Sequence, residues 1–303
     1  MPSRFIGLAF ILISIFFASL MIILIKLLSE DMNIFSILFY RGFFGFILSL
    51  FFFIKIDFRE LKTKKIHIHL IRSIINALAL YFWFTSLTLS SLADVSAIGN
   101  SAPIFATFLA TLFMKEKVIL SRIVAIFLGF IGVIIILDPS FNDIEKGHYY
   151  ALMSAILWGF LVIYLKSLSK TENYFSVIFY FQLFLFVFFG TVFFSYIVIP
   201  NTFNFVLILL MALFGNISQI SYFQALKYKD ISFISPFEYL RFIFITIFGI
   251  LFFSEFPEIS TYIGSLIIFV GILIININIK KISNSFKLWN QKLNLILEKK
   301  YGD

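Results

Sequence analysis

Cysteine is absent from this sequence, which excludes disulfides, thiolate nucleophiles and cysteine-ligated metals. Charge is scarce: 13% of the 303 residues are Asp, Glu, Lys or Arg, where a soluble domain carries about a quarter. Of the three histidines, His67 and His69 lie in a basic loop with no carboxylate or third histidine at ligand spacing, so no metal site is expected. No G-x-x-x-x-G-K-[ST] loop is present, and neither is H-E-x-x-H or G-x-S-x-G. Asp143 and Glu145 form no catalytic pair with a neighbouring base. Direct use of ATP, metalloprotease chemistry and serine-hydrolase chemistry are thereby excluded, and no cofactor is expected.

What remains is apolar. The hydrophobic fraction is 61% and the mean hydropathy is +1.03, the composition of a polytopic membrane protein. Ten runs approach the roughly twenty residues that a bilayer span needs: 5–28, 33–54, 70–90, 93–114, 120–137, 148–167, 174–196, 203–226, 231–253 and 258–279. The first run is too long for a signal-peptide core and reads as the first span. The expected fold class is an all-α integral membrane protein of ten transmembrane helices.

Of the 24 Lys and Arg, 20 fall on one side of these spans and two, Lys26 and Lys146, on the other. Arg41 and Arg241 lie inside spans. The positive-inside rule then puts both termini in the cytoplasm. The same asymmetry explains the net charge of +8 without nucleic acid, because the basic excess faces the anionic cytoplasmic leaflet. In the tail, 281–303, Trp289, Leu293, Ile296 and Leu297 share one helical face among lysines, which suggests a basic amphipathic segment lying on the membrane surface.

A repeat organises the chain. With a shift of 140, "KLLSEDMNIFSILFY" falls on "KSLSKTENYFSVIFY" and matches at eight of fifteen positions, including Lys26/Lys166, Asn33/Asn173 and Ser36/Ser176. With a shift of 139, "LFMKEKVILS" falls on "LFFSEFPEIS", pairing Glu116 with Glu255. Apolar bias alone does not align lysine, asparagine and serine. The halves are 1–140 and 141–280. Five spans per half is an odd number, so the second half enters the membrane from the opposite side. Inverted repeats of this kind mark secondary transporters.

On these residues the chain resembles the EamA-type members of the drug/metabolite transporter superfamily. The features that carry the resemblance are the doubled five-helix unit, "FYRGFFGF" around Arg41, and "SLTLSSLADVSAIGNSAPIFATFLATLFMKEKV" with Pro103 and Glu116. The second copy of the latter is "ALKYKDISFISPFEYLRFIFITIFGILFFSEFP". Within the superfamily, "SPFEYLRF…FSEFPEIST" is similar to the branch containing S-adenosylmethionine transporters of intracellular bacteria, with Glu238 preceding Arg241 where that branch places arginine first. The resemblance implies a permease of the inner membrane, a monomer or homodimer, moving a small metabolite by alternating access.

Charges inside spans cost at least about 2.5–3.5 kcal/mol each at the bilayer centre and default to function. Arg41 lies about eight residues into its span, Glu238 about seven into its own and Arg241 about ten. All three are therefore expected near the midplane, with Glu238 and Arg241 on one helix face at i, i+3. Glu238 can pair with either arginine and lock the two halves together. One positive charge is then left over, which an anionic group on an amino-acid-like or S-adenosylmethionine-like substrate would satisfy. Tyr239, and Asn100 ahead of the Pro103 break, join the candidate substrate site, as do the deep aromatics Tyr81, Trp158 and Tyr222. Asn76, Gln182, Asn216, Gln219 and Gln224 are read as interhelical glue. Glu116 and Glu255 sit at span exits, outside the site, in a capping or gating role, and Asp94 is read as solvated at the outer mouth. The alternative function is a membrane enzyme or lipid-handling protein using the same midplane charges.

Overall fold

Asparagine opens two of the helices in the same way. Asn33 Oδ1 accepts from Ser36 N at 2.9 Å, and Asn173 Oδ1 accepts from Phe175 N at 3.4 Å. Each satisfies an amide that the first helical turn leaves without a partner. These are positions that the repeat aligns. The computed structural model describes residues 2–53, 63–113, 120–136, 145–168, 172–228, 237–238 and 240–275. The tail, Pro103's side chain, Glu116 and Asp143 lie outside that description.

All regular structure among the described residues is helical: α1 (Pro2–Asp31), α2 (Ile34–Phe53), α3 (Ile66–Leu89), α4 (Leu92–Gly99), α5 (Ala102–Phe113), α6 (Leu120–Ile136), α7 (Lys146–Leu168), α8 (Tyr174–Val192), α9 (Thr202–Tyr228), α10 (Leu240–Phe253) and α11 (Ile259–Ile275), with one 3₁₀ turn at Phe194–Tyr196. Helices satisfy their backbone groups internally, which lipid demands. Four contain stretches long and apolar enough to cross a membrane unaided: Ile6–Asp31, Ile66–Leu89, Phe175–Val192 and Thr202–Ala225. Shorter apolar helices fill in at Ile34–Leu50, Ile123–Ile136, Leu240–Phe253 and Ile259–Ile274.

The fourth expected span is broken. α4 ends at Gly99, and α5 restarts at Ala102. Ser101 bridges the gap: its N–H and Oγ–H both donate to Ile98 O, at 3.0 and 2.6 Å, while its own carbonyl accepts from Ile104 and Phe105. Pro103 falls in the first turn of α5, where its missing N–H costs nothing.

Helices pack in long pairs: α1 with α9, α3 with α7, α2 with α8 and α6 with α11. The half-helices α4 and α5 both pack on α7, and α4 also meets α10 and α11. One central core joins Ile25, Leu28, Phe84, Leu92, Ile98, Phe181, Ile208, Ile245 and Ile268. A smaller cluster of Ile11, Ile15 and Ala225 gathers the far ends of α1 and α9 with Phe237, Leu240 and Tyr222. Outward-facing Phe127, Phe203, Leu251 and Leu266 are exposed apolar side chains, which suits lipid rather than water.

Candidate functional site

Arg241 donates to Glu238 Oε2 within one helical turn. Phe242, Ile245 and Gly249 are the buried residues of α10; Glu238 precedes them by four, seven and eleven positions and shares their face. On that inward face the Glu238 side chain still keeps 18% of its surface accessible, and Arg241 keeps 31%. Glu238 Oε1 and Arg241 Nε have no hydrogen-bond partner among the described residues. Tyr222 of α9 joins the same cluster as Phe237 and Leu240, the residues that precede Glu238 and Arg241.

The same logic locates the opening these residues border. Trp158 lies three to seven residues from Ala151, Ser154, Ala155 and Leu161, all buried, so it belongs to the inner face of α7. It is nonetheless 37% exposed. Tyr222 is likewise partly exposed among buried Met211, Ser218 and Ala225 on α9. Trp83 is partly exposed among buried Asn76, Ala79, Leu80 and Leu87 on α3, with its ring against Gly99. Surface that stays accessible on the packed side of a helix marks space inside the bundle. At the α4–α5 break, Asn100 Nδ2 is buried and unpartnered among the described residues.

Arg41 is placed differently. It is 3% exposed, with Nη1 against Met21 Sδ and its guanidinium 5.7 Å from the centroid of the Phe84 ring. Gly215 makes room for it: a Cβ there would come within 2.9 Å of Nη1. Arg41 has no ion-pair partner among the described residues, and Glu238 pairs with Arg241 instead. α9 passes both groups, at Gly215 and at Tyr222. Seven helical residues separate those levels, about 10 Å at 1.5 Å per residue. The three charges are thus spread along the bundle rather than gathered at one depth.

Tyr81 is not brought to the opening. It shares a face with Leu70, Ile74 and Leu78, which are exposed, and stacks on Phe35 at 5.7 Å. Tyr239 lies outside the described residues. Of the glue candidates, Gln182 donates to Asn216 Oδ1 at 2.9 Å, and Asn216 donates to Gly45 O at 3.0 Å, tying α2, α8 and α9 together.

Three further polar groups depart from the sequence reading. Asp94 is not solvated; it bonds Ser91 and Thr261 and lies 3.7 Å from His148 Nε2. α3 starts at Ile66, earlier than the apolar run suggested, and so carries His69 and Arg72 into the bundle. His69 meets the Glu172 carboxylate at 3.4 Å. Arg72 donates to Val177 O at 3.2 Å and stacks over Phe181. The signal available for these was a polar stripe, His69, Arg72, Ser73 and Asn76, on one face of an otherwise apolar helix. Glu255 caps a helix, though not its own successor: it accepts from Leu92 N at 2.7 Å, at the start of α4, and pairs with Lys26.

The model of the EamA-like transporter family matches this chain twice, over residues 5–138 and 145–277. The chain belongs to the EamA-like transporter family. It is a multi-pass membrane protein whose relatives are named as transporters. This EamA-like chain is 27% identical to the S-adenosylmethionine uptake transporter of Rickettsia conorii, over 92% of its own length and 95% of the relative's. It is also 27% identical to the riboflavin transporter of Brucella anthropi, over 69% of the chain and 76% of that protein. A solved structure, titled only as the crystal structure of a protein, superposes with a TM-score of 0.64 at 14% identity; the match covers 90% of this chain and 96% of that one. That likeness concerns the fold alone.

Proposed function

We propose that the protein is a secondary transporter of the inner membrane. It moves a small polar metabolite with an anionic group, amino-acid-like or S-adenosylmethionine-like, by alternating access of two inverted halves, 1–140 and 141–280. The observation that carries this reading is the Glu238–Arg241 pair, partly accessible on the inward face of α10, whose preceding residues Phe237 and Leu240 share a cluster with Tyr222. Ionised groups inside a membrane bundle mark substrate paths.

The packing supports the inverted halves. Under the repeat, α1 corresponds to α7 and α3 to α9. The pairs α1·α9 and α3·α7 exchange under that correspondence, while α2·α8 and α6·α11 map onto themselves. A two-fold axis in the membrane plane produces this pairing. The half-helix break adds one side-chain amide, Asn100 Nδ2, with no hydrogen-bond partner among the described residues, where α4 and α5 pack on α7 of the other half, a place where such transporters put their sites. Relatives named for S-adenosylmethionine and riboflavin favour a substrate with a heteroaromatic ring. Trp83, Trp158 and Tyr222 are the faces on which such a ring would stack.

Counterflow into proteoliposomes holding only this protein tests the reading. Saturable exchange of labelled S-adenosylmethionine, or of a pooled amino acid or purine, is expected. Arg241→Ala is expected to lower that flux at least about a hundredfold while the protein remains monodisperse; this corresponds to about 2.7 kcal/mol. Absence of saturable flux for every metabolite tried, or wild-type flux in Arg241→Ala, would overturn it.

A further inference from the structure

The segment joining α8 to α9 is apolar where its neighbours are charged. The α1–α2 connection carries Glu30 and Asp31, and the α10–α11 connection carries Glu255 and Glu258. Asn204 bonds Asp31, and Lys26 near the end of α1 pairs with Glu255, so these connections lie at the end of the bundle where α9 begins. Between Glu172 and Lys227, by contrast, the sequence holds no charged residue. The expected span 174–196 stops early. α8 ends at Val192, the chain makes the 3₁₀ turn Phe194–Tyr196, and it continues without regular structure until α9 starts at Thr202. Ile199 is 88% exposed and Phe194 74%, with Tyr196 and Val198 exposed between them.

α2 fastens this segment through a ladder of three polar side chains. Asn33 Nδ2 and Ser36 Oγ both donate to Tyr196 O, at 2.6 and 3.0 Å. Val198 N donates back to Ser36 Oγ at 2.9 Å, and Tyr40 Oη donates to Val198 O at 3.2 Å. Positions 33, 36 and 40 share one helix face. Tyr196 N and Ile197 N donate to Phe193 O and Phe194 O, and Pro200 has no N–H to satisfy. The backbone polar groups of Tyr196 and Val198 are thus met inside the protein. Non-helical chain tolerates lipid only where its polar groups find such partners.

We infer that residues 194–200 form a strap set into the interfacial layer of the bilayer, with their apolar side chains among the acyl chains. The exposed side chains continue the outward apolar surface of the flanking helices, Val192 on α8 and Phe203, Val206 and Leu210 on α9. Tyr40, Ile199, Pro200, Thr202 and Phe205 line an open groove of about 380 Å³, which acyl chains fill. Tyr40 and Tyr196 supply the rings with one polar end that suit the membrane–water boundary. An apolar surface this continuous calls for cover rather than water.

The test is electron paramagnetic resonance on the full chain in phosphatidylethanolamine/phosphatidylglycerol vesicles. The sequence has no native cysteine, so a nitroxide can be attached at Phe194→Cys or Ile199→Cys alone. Val206→Cys serves as the lipid reference and Glu258→Cys as the water reference at the same end. Collisions with oxygen relative to a water-soluble nickel chelate should exceed those at Glu258→Cys by at least about fivefold, because oxygen partitions into the apolar phase. In Ser36→Ala combined with Tyr40→Phe, nickel access to the Ile199→Cys label should rise at least about twofold as the ladder is lost. The Val206→Cys label in that background reports whether the bundle is intact, and Tyr40→Phe alone is the milder variant. Nickel access equal to that at Glu258→Cys in the otherwise unaltered chain would overturn the inference. Shielding from both reagents, with spin–spin broadening between copies, would overturn it in favour of a second copy of this chain. A strap label unmoved by loss of the ladder would show that α2 does not hold the segment in place.

Discussion

Glu255 holds two things at once. Its carboxylate accepts from the first amide of α4 and pairs with Lys26, and the chain reaches it from α10 through Ser254, which adopts a left-handed backbone (φ 54°). Lys26 also lies over the Phe253 ring at 5.1 Å. The two functions of the carboxylate can be separated. Glu255→Gln keeps an acceptor for Leu92 N–H but gives up the ion pair; Glu255→Ala loses both. Thermal unfolding of purified protein should rank wild type above Gln and Gln above Ala, the last step reflecting a lost cap of about 1 kcal/mol. Lys26→Met combined with Glu255→Gln should recover part of the Gln loss, since no half-buried ammonium is then left alone. If all three variants melt together with the wild type, the contact is incidental. The duplication of Glu116 and Glu255 made a capping role legible in the sequence. The identity of the capped helix was not, because the partner lies 163 residues away.

At the scale of elements, glycines set how closely helices approach. A Cβ on Gly132 would meet Gly264 O at 2.7 Å, and one on Gly264 would meet Gly132 O at 2.5 Å. The backbones of α6 and α11 therefore touch at this crossing, the small-residue contact that membrane helices favour. Gly132→Ala and Gly264→Ala should each destabilise by about 1–3 kcal/mol, since backbone cannot move aside as a side chain can. Gly249→Ala is the control. Its nearest neighbours would lie at 3.7 and 3.8 Å, so it should be neutral or gain up to about 1 kcal/mol from helix propensity. Unfolding midpoints in detergent distinguish these; equal effects at all three positions would refute the close approach. The existence and type of these helices followed from apolar run length, and the Asn33 and Asn173 caps were signalled by their alignment in the repeat. The rotational phase of each helix was not legible. In a membrane both lipid and core are apolar, so no amphipathic stripe tells one face from the other. Tyr81 and Trp158 look alike as deep aromatics in sequence, yet one faces outward and the other an internal space.

Among the described residues, several polar contacts between distant segments lie at the end where α1 finishes and α9 begins. Lys26–Glu255, Asp94–Thr261 and Asp94–His148 join the segments before and after residue 140 there. If the two halves rock against each other, these contacts must part in every cycle. The chain has no cysteine, so introduced thiols have no background. Lys26→Cys with Glu255→Cys, bridged by a short bis-maleimide, should stop counterflow by at least about tenfold, whereas either single variant treated alike should keep most of its flux. Transport that persists through complete cross-linking would show that this end need not open.

The distance in sequence between Glu255 and the helix it caps also bears on biosynthesis. When the ribosome has delivered only α1 to α6, Leu92 N–H and Lys26 have no carboxylate to meet. α4 is short, eight residues, and although Ser91 caps it locally by accepting from Asp94 N–H at 3.1 Å, its first amide stays unmet and a helix of that length is marginal without its neighbours. The first half thus enters the membrane with its broken span unfinished at one end. Completion waits for the penultimate helix, and the newborn chain commits to its final packing late, after nearly all of it has been made.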